Sequence, residues 1–206
     1  MVIRRKQRRA NAAERAEARY RRLQAFLDDA RAFEGVSAAA VPGLRLRANA
    51  EERVYLCIRG VFLFETHLDL TEPEGVRPRL PPTPVDRGEL AVTDHRAVFT
   101  GAKQIRQWAW PAIIGITHAG HGPWTAIDVS SRRRQFGLLY DDENREQIRF
   151  SIDLAVATAR RSRQDLINRI EAAIAEEVLA VPELGTLHDT AAHPKDAPVR
   201  GEGQLP

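Results

Sequence analysis

Cysteine is almost missing from this chain: Cys57 is the only one in 206 residues. No disulfide can close within it, and no cysteine pair can hold a metal. Cys57 itself sits in an apolar run and reads as a small buried hydrophobe. Lysine is nearly as scarce, with Lys6, Lys103 and Lys195 alone, so the basic residues are almost all arginine. No stretch approaches the roughly eighteen apolar residues of a spanning helix, and no apolar segment follows the basic N-terminus as in an export signal. The expectation is a cytoplasmic protein. Catalytic signatures are also missing: there is no P-loop, no G-x-G-x-x-G and no G-x-S-x-G. The closest histidine pair, His118 and His121, falls in a Gly-rich turn without the helical geometry that aims two rings at one ion. Neither an enzyme, a cofactor nor a metal site is therefore expected.

What is present is an ordinary globular composition, 43% hydrophobic and 29% charged, enough for one core with appendages. The charge is unevenly placed. Residues 1–22 hold nine basic side chains against Glu14 and Glu17, a net of +7 in a chain whose total is +3. The rest is therefore acidic. The cationic arm, with Arg4, Arg5, Lys6, Arg8 and Arg9 at its start, could meet nucleic acid, anionic lipid or an acidic partner.

The stretch from Gly88 to Ala159 organises the chain. Glu89 to Thr93 and Arg96 to Thr100 are β-favouring runs separated by Asp94-His95, which predicts a hairpin whose turn uses Asp94 for local backbone bonding. Gln104 to Trp110 alternates, with Ile105, Gln107 and Ala109 on one face and Arg106, Trp108 and Trp110 on the other, until Pro111 removes a ladder donor. Ala112 to Thr117, Trp124 to Ser130 (with Thr125, Ile127 and Val129 together) and Gln135 to Tyr140 complete six short strands. Asp141 or Asp142 is then placed to cap a helix with Ile148, Ile152, Ala155 and Ala159 on one stripe. A sheet with one apolar face and two free edges is expected to curl into a small barrel plugged by that helix.

The run Leu90-Ala91-Val92-Thr93-Asp94-His95-Arg96-Ala97-Val98-Phe99 resembles the L-x-V-T-(N/D)-x-R-(apolar)-(apolar)-F signature of bacterial PH-like and GRAM-like domains. Arg53 to Glu65 looks like the opening strand pair of such a domain, joined at Arg59-Gly60. The resemblance covers roughly Glu52 to Ala159. It implies an α+β protein: a bent antiparallel barrel of seven or eight strands capped by one helix, used for binding lipids or proteins and not for catalysis. The family's phosphoinositide-binding members carry basic residues on and around the loop joining their first two strands, and here the corresponding connection is Arg59-Gly60 alone, which argues against phosphoinositide recognition.

The flanks divide into a basic helical arm over 1–40, a Pro-rich connection over 69–88 inside the domain at 51–160, a second amphipathic helix within 161–181, and a loop-like tail over 182–206. In the arm, Ala13, Ala16, Tyr20, Leu23, Leu27 and Ala30 step by three and four, a shallow heptad-like stripe ended by Gly35. It suits packing on the barrel, a coiled-coil self-association, or a nucleic-acid or membrane arm. In the C-terminal helix, Ile167, Ile170, Ile174 and Val178 fall in register.

Candidate ligand-binding residues are Arg106 and Trp108 on the alternating strand and Arg132, Arg133 and Arg134 in the basic turn. The tryptophans build either one side of the core or an exposed plate, and the arginine turn is either solvated surface or a phosphate-binding edge. The function expected is a PH-like interaction module that binds protein partners or itself, with an anionic membrane as a further surface. The alternative is a nucleic-acid-associated protein using the basic arm.

Overall fold

The computed structural model describes residues 2–46, 49, 51–67, 83–120, 122–129 and 134–180. Most of the Pro-rich connection, Arg132 and Arg133 of the basic turn, His121 and the tail after Ala180 lie outside the described residues. The chain divides into two compact units, residues 1–29 with 167–206, and residues 30–166.

The first unit holds most of helix α1 (Val2–Ala32) and most of helix α3 (Arg163–Ala180). The predicted stripe on α1 is buried at Ala16, Tyr20 and Leu27, while Ala13 is exposed. On α3 the burial runs through Ile170 and Ile174, with Ile167 only half-buried. Arg19 of α1 pairs with Glu177 of α3 at 3.2 Å. Helix α1 starts eleven residues before Ala13, the first member of the apolar stripe, because Ala, Arg and Gln are good helix formers even without a periodic apolar stripe.

The second unit is an α+β domain around an antiparallel sheet of eight strands: β1 (Val36–Ser37), β2 (Arg53–His67), β3 (Pro84–Thr93), β4 (Arg96–Gly101), β5 (Ile105–Ala109), β6 (Ile113–His118), β7 (Trp124–Val129) and β8 (Arg134–Leu139). The order across the sheet is β5-β4-β3-β2-β8-β7-β6, with β1 pairing off this path with β2. The sheet is open: β5 and β6 are its two ends, and no ladder joins them among the described residues. A closed barrel, the expectation from the sequence, is not what forms. Pro111 is the physical reason the chain turns between these two strands without pairing them, since it sits in a single 3-10 turn, Trp110–Ala112, and has no N–H to give a ladder.

The opening segment also differs from expectation. Arg53 to His67 is one continuous strand and not a strand pair. Gly60 has φ +83°, and the register slips between Arg59 and Val61, so what reads as a turn is a bulge that bends β2. The bend lets one strand serve both halves of the sheet: it pairs with β3 from Val54 to Phe64 and with β8 from Phe62 to His67. The connection between the first two long strands is therefore residues 68–83, and the shortness of Arg59-Gly60 says nothing about it.

Helix α2 (Arg145–Ala159) closes the core, and Ile148, Ile152 and Ala155 join Trp108, Trp110, Phe136 and Leu138 in one cluster. Each fully buried isoleucine there contributes on the order of 1.5–3 kcal/mol. Ala159, placed on that stripe by the sequence, is exposed. Neither Asp141 nor Asp142 caps α2. A 3-10 turn over Asp142–Asn144 comes first, and Asp142 instead pairs with Arg145 at 3.1 Å. Beyond α2, Arg163 ties the two ends of the unit together, its Nε donating to Ala30 O at 2.6 Å and its Nη2 to Phe33 O.

Candidate interaction surface

The polar residues of the L-x-V-T-D-x-R run are engaged in architecture. Thr93 Oγ1 accepts from the backbone N–H groups of His95 and Arg96 and donates to the Glu52 carboxylate at 2.8 Å, so Thr93 rather than Asp94 staples the β3–β4 turn. Asp94 Oδ1 instead accepts from Arg53 N at 3.0 Å, across 41 residues, and lies 2.7 Å from His95 Nδ1. Glu52 is 1% exposed and receives Arg96 Nε and Nη2 at 3.0 Å each. Burial alone would raise its pKa. The Arg96 and Thr93 hydrogen bonds, the Arg96 charge and the Asn49 N–H outweigh it, so the group is held below its ordinary value. Trp110 Nε1 donates to Thr93 O at 2.9 Å, locking the same corner. Glu52 carries no signal in the sequence, because its partners Thr93 and Arg96 lie more than forty positions away.

A second polar chain crosses β6, β7 and α2. His118 Nε2 lies 3.3 Å from Asp153 Oδ1, His118 Nδ1 lies 2.8 Å from Thr125 Oγ1, and Thr125 Oγ1 lies 2.8 Å from Tyr140 Oη. Arg149 Nε donates to Tyr140 Oη at 3.4 Å, and its Nη2 donates to the carbonyls of Ala119 and, at 2.7 Å, Gly122. A guanidinium only donates and a carboxylate only accepts, so with a neutral His118 the chain has one sense: Arg149 to Tyr140 to Thr125 to His118 to Asp153. This assigns a neutral His118 the Nε2–H tautomer. Asp153, His118 and Thr125 have the connectivity of an acid–base–hydroxyl relay. Thr125 is 0% exposed and bonded to Tyr140, so its oxygen does not reach a substrate.

The alternating strand is arranged as its pattern predicts. Ile105, Gln107 and Ala109 are exposed, while Arg106, Trp108 and Trp110 face inward. Trp108 is 1% exposed, so it is a core residue and not an exposed plate. Arg106 is the anomaly. It stands opposite Phe99 on the inner face, and its guanidinium carbon lies 4.5 Å from the centre of the Phe136 ring on β8. That contact brings β5 and β8 together across the interior, although three strands separate them in the ladder. Arg106 Nε and Trp108 Nε1 are both buried without a hydrogen-bond partner among the described residues.

Each end strand of the sheet presents one exposed isoleucine. Ile105 on β5 is 60% exposed and Ile114 on β6 is 68% exposed. Each lies on an end strand of the sheet, with one edge unpaired among the described residues.

Of the remaining candidates, Arg134 begins β8, and Arg4, Arg5, Lys6, Arg8 and Arg9 lie along the first turns of α1. Cys57 is half-buried, and burial, with help from Glu89, pushes its thiol up to about 11. It is no nucleophile at neutral pH. Among the described residues no three His, Cys, Asp or Glu side chains are grouped to hold a metal, and no helix is long and apolar enough to cross a membrane. Comparison with protein-family models and with curated proteins finds no match.

Proposed function

We propose that this chain is a non-enzymatic interaction module of PH-like architecture, which engages a protein partner or a second copy of itself along the open side between β5 and β6. The strand order, with one long bent strand shared by both halves and a helix filling the core, supports the architectural part of the reading. The single observation that carries the functional part is the pair of unpaired edges, each presenting a largely exposed isoleucine. Unpaired backbone groups with a nearby apolar side chain are the elements from which strand-to-strand recognition is built. The sequestered Thr125 hydroxyl and the high thiol pKa of Cys57 argue against covalent chemistry.

The test is Ile105→Lys together with Ile114→Lys in the full chain. These exposed positions contribute little to stability, so the melting temperature stays within a few degrees of wild type. The complex recovered under native conditions is lost. An unchanged complex overturns the reading. A second reading rests on α1, which is helical through Arg4 to Arg9 and so arrays five cations on one helix. Nucleic-acid binding by this arm would fall steeply with salt and vanish on deleting residues 1–22.

A further inference from the structure

The structure assigns to the inner face of β5 a carboxylate-binding site in which Arg106 and the indole N–H of Trp108 are the two donors. The inference does not rest on the interaction-module reading.

Arg106 stands in a row of apolar residues. Across the ladder its neighbours on the same face are Phe99, Leu90 and Ile58. A cation in such a row ordinarily has a carboxylate beside it, because desolvating a lone charge is costly. Among the described residues Arg106 has only the Phe136 ring, 4.5 Å from its guanidinium carbon, a contact that uses none of its N–H groups and leaves the buried Nε without an acceptor. Two residues along the same strand face, about 7 Å away at the usual rise per residue, Trp108 brings a second buried N–H that has no acceptor among the described residues. Trp110 shows the ordinary arrangement, its indole satisfied by Thr93 O.

An inward charge on an edge strand can also serve to block edge-to-edge aggregation. That role needs neither the aromatic stack nor the neighbouring indole. One cation plus one neutral donor, set among apolar side chains, matches a monoanionic carboxylate with an apolar stem. A phosphate dianion would call for at least a second cation. The unpaired side of β5 is the approach, since β5 is the last strand of the sheet. The same chemistry is offered by a free aliphatic acid and by a Glu side chain on a peptide.

The experiment is a titration of the uniformly nitrogen-15-labelled full chain with sodium butyrate, with acetyl-Val-Glu-Val-amide and with inorganic phosphate, each against sodium chloride at matched ionic strength. The readouts are the Trp108 Nε1–H and Arg106 Nε–H resonances; Trp108→Phe identifies the first, and Trp110 Nε1–H is the internal control. The expected result is a saturable shift of both Trp108 and Arg106 signals with at least one carboxylate probe, while Trp110 stays still. Arg106→Gln weakens that affinity by about tenfold or more, as loss of a charge-assisted hydrogen bond should. Whichever carboxylate saturates at the lower concentration identifies the source. No saturation beyond the chloride control with either carboxylate overturns the site, as does undiminished affinity in a folded Arg106→Gln chain. Phosphate saturating below both carboxylates overturns the ligand class.

Discussion

Arg96 reaches back 44 residues to close two of its nitrogens on the Glu52 carboxylate, each at 3.0 Å, and so fastens the β3–β4 turn to the start of β2. Thr93 and Arg96 belong to the most recognisable run in the sequence, and both bind this one buried acid. That run is thus a mark of architecture.

Glu52→Ala leaves Arg96 without its carboxylate and removes one of the two acceptors of Thr93 Oγ1, the Arg96 carbonyl remaining at 3.0 Å. The expected loss is about 3 kcal/mol, the low end for a broken buried pair because the Arg96 side chain keeps 22% exposure. Urea unfolding of Glu52→Ala, Arg96→Ala and the double variant checks it. The double variant should lose clearly less than the sum of the singles.

The same carboxylate gives a pH dependence of known sign. The folded pKa of Glu52 lies below its unfolded value of about 4.5, so its contribution is complete above that pH and fades as pH falls through the lower folded value. Wild type should therefore lose more stability between pH 5 and pH 3 than Glu52→Gln does. Parallel curves for the two proteins would remove Glu52 from the account.

In the His118 chain, Thr125→Val strips the acceptor from Tyr140 Oη and the donor from His118 Nδ1, stranding two groups of which Tyr140 is buried. The expected cost is about 2 kcal/mol. Tyr140→Phe leaves the Thr125-to-His118 bond in place and should cost about 1 kcal/mol. Thermal melts order the two variants, and nitrogen-15 shifts of the His118 ring at neutral pH should report the Nε2–H tautomer.

Two glycines should respond to the same methyl group to different degrees. An added Cβ at Gly60 meets nothing nearer than 3.8 Å, so Gly60→Ala costs only the backbone strain of its positive φ, about 1–2 kcal/mol. At Gly88 the methyl would lie 2.2 Å from Thr100 O and 2.7 Å from Gly101 Cα, which must part the β3–β4 ladder. Gly88→Ala should be the more damaging, read as a lower midpoint in urea or as failure to fold.

The strands from Leu90 to Leu139 were legible because their punctuation is local: a two-residue turn, a proline, a Gly-rich turn and strict alternation, whose inward and outward faces on β5 are those observed. The helical stripes were legible for the same reason. Gly60 was misread because a glycine between apolar runs marks a turn and a strand bulge equally well. Here Arg59 pairs with Glu89 on one side of it and Val61 with Gly88 on the other. The extension of β3 back to Pro84 was hidden by the prolines around it, although proline is tolerated as the first residue of a strand. Glu52 and the His118–Asp153 contact were out of reach, since each is made between residues 35 or more apart.

The claim that partners meet the open side between β5 and β6 is tested most directly by site-specific photocrosslinking in the native host. A photoreactive phenylalanine analogue would replace Ile105 or Ile114, with Leu179, 82% exposed on α3, as the control position. The account predicts one discrete crosslinked protein, a partner or a second copy of this chain, from positions 105 and 114 and not from 179. Crosslinks of equal yield from all three positions, or none from 105 and 114, would contradict it.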